Sequence, residues 1–240
     1  MPFFEDIGSD DEILHRPIWG VFALVKDNLE RLIAVNIGWS LQLLPAIIAY
    51  GFVGLPLAVR IVFVLYSFVA LVPATGVLFR LMARVCQYET PRLDMLKEDF
   101  RELALPSFIS LSPLLGILAL SFWLAVFTSV MHILLLDVLL RFIILVLLVC
   151  SLYWGPLFVE YPGRSAFFLL RRSALLAWRY PVPTLQTGIV VVLALALGVI
   201  SIGGLFLIVP VVIALLQTRR CYEFLAQGRL RQQKNKVGQV

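Results

Sequence analysis

Lysine and arginine fall into four clusters, and the stretches between the clusters are almost wholly apolar. The clusters are Arg16, Lys26 and Arg31; Arg80, Arg84, Arg92, Lys97 and Arg101; Arg164, Arg171, Arg172 and Arg179; and Arg219, Arg220, Arg229, Arg231, Lys234 and Lys236. Only Arg60 and Arg141 of the 20 basic residues lie outside them. A chain that crosses a bilayer twice between successive clusters keeps all four on one side, and loops rich in Lys and Arg stay cytoplasmic during insertion. The spacing therefore predicts six spans in a multi-pass protein of the cell (plasma) membrane, with both termini cytoplasmic.

Composition agrees with that reading. Hydrophobic residues make up 61% of the 240 positions and charged residues 15%, and the mean hydropathy is +0.95. Soluble domains carry roughly 25% charge. Six spans leave no room for a separate soluble domain, so residues 18–227 are expected to form one membrane domain between an acidic tail, 1–17, and a basic tail, 228–240. Glu5, Asp6, Asp10, Asp11 and Glu12 stand where a signal peptide would need a basic region and an apolar core. The first span is expected to serve as the insertion signal. The isoelectric point near 9.3 reflects basic residues at the cytoplasmic boundary, each attracted to anionic headgroups by about 1 kcal/mol. The lipid bilayer is thus the expected partner, and no nucleic acid is.

About 20 apolar residues at 1.5 Å per residue cross a ~30 Å hydrocarbon core. On that scale the spans fall near 32–50, 61–79, 105–127, 142–159, 183–202 and 205–217. Arg141 then marks an outer boundary and 132–140 the charged outer loop. The sixth span is short. Either its reversal at Gly203-Gly204 lies below the outer surface, or its helix continues past Arg219 and Arg220 while those side chains snorkel to the interface.

Each odd-numbered span is preceded by a segment with helical, amphipathic spacing: 19–31, 93–103 and 167–179. The second carries Leu93, Leu96, Phe100 and Leu103 on one face and Asp94, Lys97, Glu98, Asp99, Arg101 and Glu102 on the remainder. Such helices are expected along the cytoplasmic membrane surface. The fold class that follows is all-α and polytopic: six transmembrane helices as three hairpins, each hairpin preceded by an amphipathic cytoplasmic surface helix. The units 18–89, 93–161 and 165–227 would be repeats. Val72-Pro73 followed by Arg84, Cys86 and Tyr88-Glu89 parallels Val209-Pro210 followed by Arg219-Arg220, Cys221 and Tyr222-Glu223.

Three local patterns resemble the YesL family of bacterial membrane proteins, whose biochemical activity is unknown. Asn36-Ile37-Gly38-Trp39 followed by Leu44-Pro45 is similar to that family's Asn-x-x-Trp element and Leu-Pro. Pro73-Ala74-Thr75 looks like its Pro-Ala-Thr helix start, and Leu96-Lys97-Glu98-Asp99-Phe100 looks like its Phe-Lys-x-Asn-Phe surface helix, with Leu and Asp substituting. Residues 169–178 resemble the family's Leu- and Ala-rich surface helix before a final hairpin. The chain departs from the family between Leu44-Pro45 and Pro73, where 46–72 replaces only a few residues. The resemblance implies an accessory role in carbohydrate uptake.

Catalysis needs convergent groups, and the sequence offers two histidines, His15 and His132. Ser201 lies in Gly-Val-Ile-Ser-Ile-Gly without a histidine in a neighbouring span. Cys86, Cys150 and Cys221 have neither metal-ligand nor disulfide spacing. A non-enzymatic protein without cofactor or metal is expected. Two polar groups remain. His132, Asp137 and Arg141 gather on the outer side, where Asp137 and Arg141 are spaced for an ion pair or for gating. Asn36, Ser40 and Gln42 lie in the first span, where they pack helices or line a path. The leading expectation is an accessory or scaffold protein whose partners are transporter subunits or further copies of itself. The alternative is a passive channel or facilitator for a small solute, using those six residues.

Overall fold

The computed structural model describes residues 29–52, 54–87, 95–201 and 208–237, and every regular element among them is an α-helix. In chain order these are α1 (Leu29–Leu41), α2 (Leu44–Gly51), α3 (Leu57–Cys86), α4 (Met95–Val130), α5 (Leu134–Ser151), α6 (Trp154–Glu160), α7 (Ala166–Arg179), α8 (Pro181–Ile200) and α9 (Val209–Val237). Helices α3, α4, α5 and α8 are each long and apolar enough to cross a membrane, and α1 with α2, bent by 45°, passes the same test as a pair. In their most apolar stretches only 22% to 33% of α3, α4, α5 and α8 is buried inside the protein. Apolar side chains therefore cover most of their outward surface, which is compatible with insertion into lipid.

Four boundaries differ from the sequence expectation, each for a local reason. The span expected at 32–50 breaks at Gln42-Leu43. Pro45 opens α2 and cannot donate to the preceding turn, so α1 closes on tight bonds from Gln42 N to Trp39 O and from Leu43 N to Ser40 O. The surface segment at 93–103 and the third span are one 36-residue helix, α4, which runs through Pro106 and Pro113; Leu93 and Asp94 lie outside the described residues. The outer loop expected at 132–140 is only a tight turn around His132, which takes a φ of 57°. Helix α5 begins at Leu134, so Asp137, expected in the loop, and Arg141, expected at the boundary, both lie within it. The fourth span breaks at Leu152-Tyr153, because Pro156 has no N–H to offer the Leu152 carbonyl and its ring would crowd that turn.

Helix α7 covers the amphipathic segment read at 167–179, its first turn capped by Ser165 Oγ, which accepts from Phe168 N at 3.3 Å. Helix α9 continues past Arg219 and Arg220 to Val237, and both arginines, at 13% to 14% exposure, pair with Glu223 instead of reaching outward. The segment at 19–28, the Tyr88-Glu89 pair and the Gly203-Gly204 reversal lie outside the described residues.

The centre of the protein is the short helix α6. Every residue from Leu152 to Phe158 is buried, and α6 packs on α3, α4, α5, α7 and α9. Its contact with α3 is reciprocal. A Cβ at Gly155 would overlap the Phe79 ring, and a Cβ at Gly76 would lie 2.9 Å from Phe158 Cε1. Each helix thus offers a glycine hollow to the other's phenylalanine. On its other side α3 lays Leu78, Leu81, Met82 and Val85 against Val211, Ala214 and Leu215 of α9 and Leu32 of α1.

Because the Phe79 ring fills the space over Gly155, Gly155→Ala is expected to lower stability by about 1–3 kcal/mol. Adding Phe79→Ala should recover part of that loss, so that the double variant falls short of the summed single effects by about 0.5 kcal/mol or more. Thermal unfolding of the four proteins in one detergent measures the cycle.

Candidate functional site

The first polar group is set by the break between α1 and α2. Asn36 and Ser40, four residues apart, are both buried on the face that α1 turns toward α3 and α9. Next to them Trp39 Nε1 donates to Thr75 Oγ1 at 3.1 Å. The break frees backbone N–H groups at the start of α2, and Ser67 Oγ of α3 accepts from one of them, Ala46 N, at 3.0 Å. Gln42 falls at the break itself. It is half-buried, its Nε2 lies 3.5 Å from Gly38 O, and it edges an open apolar cleft with Pro45, Val62, Phe63 and Tyr66.

The second group forms at the turn between α4 and α5. Ser129 Oγ donates to Asp137 Oδ1 at 3.0 Å, Arg141 Nη2 donates to Ser129 Oγ at 3.0 Å, and Arg141 Nε lies 3.0 Å from Asp137 Oδ2. These three side chains close a triangle over the helix reversal. His132, exposed at the turn, is not one of its corners. Ser129 is the member that sequence reasoning missed; a hydroxyl one turn before a helix end is too common a feature to single out. The two groups are not brought together: α1 packs on α3 and α9, whereas the triangle lies where α4 meets α5.

The most buried charge among the described residues lies at neither place. Asp99, 2% exposed, sits in the first turns of α4. Arg84 grips it with two parallel bonds, Nη1 to Oδ2 at 2.6 Å and Nη2 to Oδ1 at 2.8 Å. Arg80 Nε approaches Oδ1 at 3.2 Å and its Nη1 donates to Glu102 Oε2 at 2.7 Å. The spacing explains the fit: Arg80 and Arg84 are one turn apart on α3, Asp99 and Glu102 one turn apart on α4, and the two faces meet. Helical periodicity puts Asp99 on the polar face of a surface helix. The signal that marks it as buried is the matching pair of arginines in the preceding cluster.

A fourth polar group lies within α9. Arg220 Nη1 donates to Glu223 Oε2 at 3.0 Å and Arg219 Nε lies 3.7 Å from Oε1, with all three side chains at 13% to 14% exposure. Burial raises the Glu223 carboxyl above its usual range, outweighing the pull of Arg220 and Arg219. Next to it Phe224 stacks on Tyr180 at 4.4 Å between ring centroids, and Tyr153 OH shares a 2.7 Å hydrogen bond with Thr184 Oγ1.

The last three of these arrangements pair carboxylates with guanidiniums, with Asp99 buried and Arg141 and Glu102 reaching the surface. Among the described residues no three His, Cys, Asp or Glu side chains converge to hold a metal ion. Comparison with family models, with curated proteins and with solved structures returns no match.

Removing Arg84 leaves the buried Asp99 carboxylate with Arg80 alone. Arg84→Gln is therefore expected to cost about 3 kcal/mol, and combining it with Asp99→Asn should cost less than that. Asp137→Asn, which breaks a pair whose arginine is 66% exposed, should cost under about 1 kcal/mol. Denaturant unfolding of the detergent-solubilised variants separates the two predictions.

Proposed function

We propose that this chain is a non-enzymatic membrane accessory or scaffold protein. Its helices would be inserted as six spans in three hairpins, with the basic clusters and both termini in the cytoplasm. The observation that carries this reading is the occupied centre. The seven residues from Leu152 to Phe158 are all buried among the helices, and Gly155 and Phe158 interlock with Phe79 and Gly76 of α3. The charged groups of the α3–α4 and α4–α5 junctions are also engaged with one another, which favours holding helices in register over passing a solute. Asn36 and Ser40 turn toward α3 and α9, as polar groups that fasten helices do.

The association with carbohydrate uptake rests on the similarity of the Asn36-to-Trp39, Pro73-to-Thr75 and Leu96-to-Phe100 elements to the YesL family. In this reading the partners are transporter subunits, or further copies of the chain, and the bilayer. Purification from native membranes in mild detergent, followed by mass spectrometry, is the test. Stoichiometric recovery of transporter subunits is the expected result. A chain that comes alone and passes small solutes when reconstituted in liposomes would instead be a facilitator.

A further inference from the structure

We propose that the outward face of α7 binds anionic phospholipid headgroups; the inference rests on the membrane reading above. Helix α7 has two faces of different fate. Leu169 and Ser173 are buried against the bundle, where α7 packs on α4, α5, α6 and α8. The opposite face exposes Phe167 at 73%, Leu175 at 55% and Trp178 at 87%. Phe167, Arg171 and Trp178, spaced by four and seven residues, lie in one row along it. Large aromatic side chains so far out of the protein, beside arginines, suit the boundary between acyl chains and headgroups.

Charge complementarity commits the occupant to an anionic lipid. Residues 164–179 contain Arg164, Arg171, Arg172 and Arg179 and no acidic residue. Three of these guanidiniums are set against aromatic rings: Arg164 lies 5.8 Å from the Phe168 ring centroid, Arg172 5.7 Å from that of Tyr161 and Arg179 5.9 Å from that of Tyr180. A guanidinium held against a ring has fewer rotamers to lose when it meets a phosphate, and its planar fork matches two phosphate oxygens. Phe167 and Trp178 would enter the acyl boundary while the arginines reach the phosphodiester and any further headgroup anion.

The test uses the full chain in nanodiscs of phosphatidylcholine alone and of phosphatidylcholine mixed with phosphatidylglycerol, with retained lipids counted by native mass spectrometry. Wild type is expected to retain phosphatidylglycerol in preference to phosphatidylcholine. At about fivefold per arginine, Arg171→Gln with Arg179→Gln should lower that preference by more than about tenfold, and Arg171→Lys with Arg179→Lys should keep most of it. Equal retention of the two lipids by wild type, or an undiminished preference in the Gln variant, would overturn the proposal while leaving the membrane reading intact. Failure of the chain to enter nanodiscs would overturn both. A photo-reactive residue at position 178 in native membranes should give lipid adducts; adducts to a protein alone would make the face a protein-docking surface and reject the lipid.

Discussion

The rest of the architecture depends on how closely α6 and α3 approach. Between helices in lipid there is little hydrophobic drive, since acyl chains are as apolar as leucine, and association relies on van der Waals contact and on interhelical polar bonds. The Gly155–Phe79 and Gly76–Phe158 contacts supply the first. A glycine under a phenylalanine on each side lets the two backbones come together without leaving a void, and the reciprocity fixes the register along both helices. With α6 fixed, α3 presents its opposite side to α9 and α1, and α4, α5 and α7 close around α6. Leu152 and Tyr153, where the backbone departs from helix, are enclosed by other helices, the setting in which irregular backbone is tolerated away from water.

Polar groups supply the second kind of contact and occupy the helix ends. Asp99 fastens α4 to α3 through Arg84 and Arg80, Asp137 fastens the α4–α5 reversal through Arg141 and Ser129, and Ser67 satisfies an amide freed where α1 breaks into α2. A buried carboxylate costs several kcal/mol to desolvate, so pairs of this kind define arrangement more than they add net stability. Interlocked rings hold the bundle at its centre and charge pairs fasten α3 to α4 and α4 to α5, while α7 leaves Phe167 and Trp178 exposed beside Arg171.

Much of this was legible in the sequence because lipid-facing helices need length and apolarity, which composition displays directly. The helical class, the positions of α3 and α8 within two to four residues at their N-terminal ends, and the amphipathic α7 follow from the spacing of charges and apolar residues. What was not legible depended on prolines and on partners far away in the chain. Pro45 and Pro156 break helices that hydropathy alone runs straight through, whereas Pro106 and Pro113 are accommodated inside α4, and only packing distinguishes the two outcomes. Asp99 reads as a solvated surface charge until α3 places Arg84 beside it. The i,i+4 ion pair of Asp137 and Arg141 follows from their spacing, but charge reads as a boundary, so the start of α5 at Leu134, which carries both within its turns, does not.

Amide hydrogen exchange on the chain in nanodiscs, followed by mass spectrometry, tests the central place of α6 most directly. Peptides covering 152–160 are expected to exchange as slowly as those covering 72–85 of α3, since both are enclosed by the same contacts. Exchange of 152–160 as rapid as that of the exposed turn at 131–133 would contradict the account, and would make α6 a peripheral end of the fourth span.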